Sequence, residues 1–178
     1  MKKLTYIIIA IIFLFALPGC NVTDSGETTE FDPHTTWDYS DYCKPMLDEV
    51  IKCLDEKDTE TLKNMFSEYV TENYDLDMEI KNAMSVYDGK SVACENYVCG
   101  SMACNVKNGY YSKRNVEISY NTVSMDSGEK YSIIVRICLV NDEYPERIGL
   151  IGIDIRDNNY EYDLEHTNNR IARIGTYY

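Results

Sequence analysis

The chain has 178 residues, room for one domain with tails. Its 44% hydrophobic and 26% charged residues place it among folded globular chains rather than disordered ones. With 30 acidic residues against 17 basic ones, net −13, it lacks the basic footprint that nucleic acid or an anionic membrane surface requires.

The first element is a leader, residues 1–19. Lys2 and Lys3 precede an unbroken apolar run from Ile7 to Leu17. A basic start and a short apolar run ending in small residues is a secretory signal, and the run falls short of the about 20 residues that span a bilayer. Leu17-Pro18-Gly19-Cys20 resembles the bacterial lipobox, with Pro18 a less usual second residue. The resemblance implies cleavage after Gly19, a lipid on the Cys20 sulfur, and a chain held at the extracytoplasmic face of the cell membrane. Cleavage removes Lys2 and Lys3 and no acid, so 15 basic residues face 30 acidic ones. Charge then cannot anchor the chain, whereas each buried acyl CH₂ contributes about 0.8 kcal/mol.

Residues 20–42 read as the lipidated Cys20 and an acidic tether. Asp24, Glu27, Glu30, Asp32, Asp38 and Asp41 stand among Ser, Thr and Gly with no Lys or Arg. Such a segment buries too little surface to offset its chain entropy, and as a flexible chain it spans about 25 Å. Phe31, Trp37, Tyr39 and Tyr42 interrupt its polarity, and the last of them are expected to pack onto the domain.

The domain, residues 43–178, opens with three predicted helices. Pro45 is placed to start the first, with Met46, Leu47, Val50, Ile51 and Leu54 at helical spacing. Asp58 or Thr59 caps the second, whose apolar face is Leu62, Met65, Phe66, Tyr69 and Val70. Asp75 caps the third, with Leu76, Ile80, Met84 and Tyr87 on one side and Asp88-Gly89 as its stop.

After Gly89 the apolar period turns to two. Strands are predicted at Ser91–Cys99, Asn115–Met125, Lys130–Val140 and Arg147–Arg156, with turns at Asn108-Gly109 and Asp126-Ser127-Gly128. Val116, Ile118 and Tyr120 share one face of the second strand, and Glu117, Ser119 and Asn121 the other. Residues 157–178 carry no assignable pattern. The plan is α+β, about three helices on one face of a curved antiparallel sheet of about four strands.

The stretch Asp58-Thr59-Glu60-Thr61-Leu62-Lys63-Asn64-Met65-Phe66-Ser67, the segments Asp75-Leu76-Asp77 and Tyr87-Asp88-Gly89, and Pro145-Glu146-Arg147-Ile148-Gly149-Leu150 together resemble a family of Gram-positive bacterial lipoproteins, domain-of-unknown-function family 5104. The similarity covers about residues 45–157. That family is similar to the nuclear transport factor 2-like cone, also called cystatin-like or ketosteroid isomerase-like, in which helices and a bent sheet enclose a pocket. The resemblance implies a fold and a location but no reaction, because this fold hosts enzymes, binders and scaffolds alike.

A pocket in such a cone would be lined by Tyr120, Tyr131, Val135 and Ile137 from the sheet and by Tyr74 and Tyr87 from the helices. Isomerase chemistry needs a buried carboxylate facing one of those tyrosines, and none is evident on the inward face. No catalytic residue is therefore assigned. His34 and His166 lie in the tether and the polar tail, away from any Ser or Cys nucleophile, and no phosphate loop or cofactor motif is present.

Seven cysteines occur, and lipidation of Cys20 leaves six, which allow fifteen pairings. Cys43 and Cys53 lie about 15 Å apart on a helix, too far for one bridge. Cys94, Cys99 and Cys104 flank Gly100 at gaps of five, where a loop-closing bridge is easier to form but where metal-ligand spacing is poor. No metal is assigned.

Arg136 interrupts the most apolar strand, and Glu117 and Asp154 are its expected cross-strand partners on the solvated outer face, a candidate interface. The leading expectation is a membrane-anchored, non-enzymatic protein that binds a small ligand or a peptide-like segment in the cone. The alternative is a scaffold that docks an envelope protein on the outer sheet face, and a third is a cone-fold enzyme.

Overall fold

The change of apolar period at Gly89 separates two layers in the structure, a computed structural model that describes residues 31–159 and 169–176. The helical layer comes first in the chain. α1 spans Ser40–Glu56 and buries Cys43, Leu47, Val50, Ile51, Cys53 and Leu54. It begins five residues before Pro45, which lies inside it. A proline there removes one helical N–H, a loss offset by the burial of Cys43 and by the Cys43 N–H donating to the Tyr39 carbonyl at 2.9 Å.

Lys57 ends α1 in the left-handed region at φ 57. Its ammonium donates to the carbonyls of Met84 (2.8 Å) and Tyr87 at the end of a later helix, where the last carbonyls lack intrahelical partners.

One helix was predicted between Thr59 and Val70, and the structure has two, α2 (Thr59–Asn64) and α3 (Glu68–Asn73). The break has a tertiary cause. Phe66 forms a parallel bridge with Leu150, the Ser67 N–H donates to the Leu150 carbonyl at 2.9 Å, and the Leu150 N–H donates to the Met65 carbonyl. Bonding to the sheet outweighs local helix propensity at Met65–Ser67. α4 follows at Leu76–Val86, capped as expected by Asp75, whose carboxylate accepts the Met78 N–H at 3.1 Å.

The sheet is a five-stranded antiparallel meander in the order β1 (Ser91–Lys107), β2 (Tyr110–Met125), β3 (Lys130–Asn141), β4 (Gly149–Asp157) and β5 (Arg170–Gly175). A 3₁₀ turn at Pro145–Arg147 precedes β4. Register shifts in each strand pair bend the sheet. The α+β plan with a curved open sheet is as expected, with four α-helices and five strands among the described residues where three and four were predicted.

β1 was predicted to end at Cys99 and runs on to Lys107, turning at Asn108-Gly109. Its second half has both faces exposed, so no alternation marks it in the sequence. β5 was not predicted at all. It pairs Ile174 with Ile153 and Ala172 with Ile155, and the Gly175 N–H donates to Glu79 of α4 at 2.8 Å.

The inward faces of β2, β3 and β4 and the apolar stripes of α1 and α4 form one core cluster. Residues 31–42, read as part of the tether, lie against this domain and belong to the same compact unit. The guanidinium of Arg114 organises them. It donates to the carbonyls of Thr36, Trp37 (3.0 Å) and Pro33 (3.3 Å) and stacks on Tyr39 at 4.2 Å and Tyr111 at 4.4 Å. The Tyr111 N–H donates to the His34 carbonyl at 2.9 Å, and Phe31 stacks on Tyr42 at 4.1 Å.

Candidate functional site

The residues expected to line a pocket sit in a filled core. Val135 and Ile137 are buried among the β2 and β4 side chains, and Tyr74 packs at the core's margin. Tyr87 stacks on Tyr131 at 5.2 Å. The Tyr131 hydroxyl donates to the Val86 carbonyl and accepts from the Asp88 N–H, each at 3.2 Å. The Tyr131 hydroxyl is thus taken up by backbone groups at the end of α4.

The two remaining hydroxyls reach carboxylates that the sequence did not single out. Tyr120 donates to Asp48 at 2.8 Å and Tyr87 donates to Asp55 at 3.0 Å. Asp48 and Asp55 are seven residues apart on α1, two turns along one face. Asp55 also accepts the Ser91 N–H at 3.0 Å and the Ser91 hydroxyl. Burial, and then the negative charge of Asp55, pushes the Tyr87 hydroxyl well above its ordinary pKa.

Asp48 and Asp55 line an open cleft of about 360 Å³ between α1 and the start of β1, with Lys52, Glu56, Lys90 and Cys94. Asp48 is half exposed and ion-paired with Lys44 at 2.7 Å. The cleft places three carboxylates, Asp48, Asp55 and Glu56, beside the ammonium groups of Lys52 and Lys90. Among the described residues no group of three or more His, Cys, Asp or Glu is arranged to hold a metal.

On the outer face the expected partners of Arg136 are the actual ones. Its guanidinium meets Glu117 at 2.8 Å and Asp154 at 3.3 Å. The expected solvation is not found. Asp154 is 0% and Arg136 4% exposed, and Asp154 also accepts from Arg173 Nε at 3.1 Å, with Arg156 and Arg170 at 3.9 Å. Arg173 was missed with β5, whose short run shows no strand pattern.

All six cysteines in the described residues are free thiols. Cys43, Cys53 and Cys138 are buried, and burial pushes the Cys43 thiol up to about 12 and that of Cys53 to about 11. A bridge among Cys94, Cys99 and Cys104, the easier of the pairings on spacing alone, does not form within one chain. All three lie on β1, and gaps of five residues in a strand are about 16 Å. Cys20 lies outside the described residues.

β1 itself is the least protected part of the sheet. It is an edge strand of 17 residues, bonded on one side to β2. Val92 (66% exposed), Val98, Met102 and Val106 (58%) are uncovered. From Ser91 to Val106 it carries a single charge, Glu95. Among the described residues no backbone or side chain bonds to its outward edge between Val92 and Cys104. The family model described as Domain of unknown function (DUF5104) matches residues 49–162.

The chain belongs to this family. The match takes in the second half of α1 and all of α2–α4 and β1–β4, and so includes the exposed edge and, apart from Asp48, the cleft residues of this DUF5104 domain. No curated protein matches the sequence.

Proposed function

We propose that this DUF5104 chain is a lipid-anchored, extracytoplasmic interaction module of a Gram-positive envelope, non-enzymatic, that engages another polypeptide by strand addition along β1. The leader and the Leu17-Pro18-Gly19-Cys20 lipobox support the anchor. Four helices against one face of a curved antiparallel sheet support the finer reading of the fold as a nuclear transport factor 2-like cone.

The observation that carries the binding reading is the free edge of β1, 17 residues long with four exposed apolar side chains. An unpaired edge of this kind offers main-chain donors and acceptors for affinity and alternate side chains for selectivity. The filled interior weighs against a small ligand inside the cone, and the buried ion ladder weighs against the outer face as the docking surface.

The test has two parts. Cys20→Ala is expected to abolish palmitate labelling and release the chain from the membrane fraction, and unchanged labelling overturns the anchor. A photo-cross-linking residue at Val98 of the full chain, in living cells, is expected to give protein adducts well above those from Lys81, exposed on α4. Equal yields from the two positions overturn strand addition.

A further inference from the structure

The partner chemistry of the β1 edge is written in its own residues. β1 runs from Ser91 to Lys107, so its midpoint is Cys99. Cys94 and Cys104 stand five residues to either side. Val92 and Val106, the two most exposed apolar residues of the strand, stand seven to either side. When two copies of β1 pair antiparallel about a two-fold axis at Cys99, every residue meets the one equidistant on the far side. Cys99 meets Cys99 of the second copy, Cys94 meets Cys104, and Val92 meets Val106.

The two irregularities in the middle of the strand obey the same symmetry. Asn96 has a left-handed backbone, φ 58, and the β1–β2 register shifts between Ser101 and Ala103, at Met102. Each lies three residues from Cys99. An extra residue throws an antiparallel pairing out by one. Here Asn96 of one copy faces Met102 of the other, so these two offsets cancel and the register holds from Ala93 to Asn105, inside the further shifts at Ser91/Ala93 and Asn105/Val106.

The irregularities also bring the three thiols to one face. Residues five apart on a regular strand point to opposite faces. Cys94, Cys99 and Cys104 instead stand opposite Val123, Ile118 and Arg114 of β2. Val123 and Ile118 belong to the core, and Arg114 stacks on Tyr39, so all three lie on the helix-bearing side.

Charge is complementary in this register. Glu95 meets Ala103, and the Glu95 side chains of the two copies are about 26 Å apart along the strand, beyond the screening length. Lys107 of the second copy meets Ser91, whose N–H and hydroxyl hold Asp55 in the acidic cleft. Lys107 there adds a cation beside a cleft of three carboxylates, Asp48, Asp55 and Glu56, and two lysines, Lys52 and Lys90.

We infer that the polypeptide bound along β1 is a second copy of this chain, paired antiparallel about Cys99 so that two five-stranded sheets become one of ten strands. This rests on the proposed reading of β1 as the docking edge. Opposed residues in such a pair have Cα separations of about 4.5 to 5.5 Å, within the range that admits a disulfide.

The full-length lipoprotein in intact cells, treated with diamide, reads the register. Two opposed thiols lose two electrons and two protons to form one S–S bond, and the diazene becomes a hydrazine. Chains keeping only Cys99 of the triplet are expected to give a species of about twice the monomer mass on a non-reducing gel. Chains keeping only Cys94, or only Cys104, are expected to give at least tenfold less, yet to cross-link to each other when co-expressed with different tags. Replacing all three by Ala is the control for the remaining cysteines.

Self-cross-linking of Cys94-only chains as strong as that of Cys99-only chains overturns the register. Absence of every dimer band, with Val98 photo-adducts on other envelope proteins, overturns the self-pairing and leaves the strand-addition reading standing. Absence of both bands and adducts overturns the two together.

Discussion

The two edges of the sheet handle their unpaired backbone in opposite ways. β5 is six residues long, carries Arg170 and Arg173, and its partner strand β4 holds Asp154 in a ladder with Arg136 and Glu117. Short length and charge are how natural sheets prevent edge-to-edge pairing. β1 is 17 residues long and has one charge before Lys107. On a chain of net −13, acids are abundant enough to protect any edge, so the near-neutral β1 is a departure from the chain's own composition. The charged side of the sheet is buried in ion pairs, and the uncharged edge is bare among the described residues.

The largest expected effect lies on the charged side. Asp154→Ala removes a fully buried carboxylate from beside the buried Arg136, and removing one member of a buried pair costs about 3–5 kcal/mol. Urea denaturation of the variant is expected to show that loss. Replacing Arg136 and Asp154 together by Met and Leu is expected to recover most of it, because an apolar pair needs no solvation. A single variant that costs less than about 1 kcal/mol would mean that water reaches the ladder, and the contrast between the two edges would fail.

A smaller effect comes from the buried thiol and phenol under the sheet. Burial pushes the Cys43 thiol from an ordinary value of 9.0 up to about 12 in the folded chain. The raised value means that the unfolded chain loses its proton first as pH rises. The contribution is therefore fully present below pH 9 and is lost between pH 9 and 12, at about 1.4 kcal/mol per pH unit. Burial and Asp55 raise Tyr87 in the same direction. Urea midpoints are expected to fall from pH 9 upward and to fall less in Cys43→Ala. An equal fall in both chains would remove Cys43 from the account.

Legibility in the sequence follows the same division. Where a face is buried, the apolar period named it: Leu47, Val50, Ile51 and Leu54 on α1, and Val116, Ile118 and Tyr120 on β2. The cap Asp75 and the turn Asn108-Gly109 were legible from local chemistry. The break at Met65–Ser67 was not, because it depends on Leu150, more than eighty residues away. Nor was the second half of β1, whose two exposed faces leave no period. The tyrosines were found, but their partners Asp48 and Asp55 read as the solvated side of α1. Arg114 escaped notice because its partners are backbone carbonyls of residues 33–37, to which no side-chain pattern points.

The smallest expected effect on stability separates the edge from the rest most sharply. Val98 is exposed on β1, and a substitution there removes no buried contact. Val98→Lys is expected to shift the urea midpoint by no more than about 0.5 kcal/mol in stability, as for other exposed sites. The same change places two lysines beside the two-fold axis at Cys99, where edge lysines oppose strand pairing. Diamide cross-linking through Cys99 is then expected to fall at least tenfold in a chain of unchanged stability. Glu at the same position is expected to act alike, since both copies carry the same sign there. A Val98→Lys chain that cross-links normally would show that β1, however bare, is not where two copies meet.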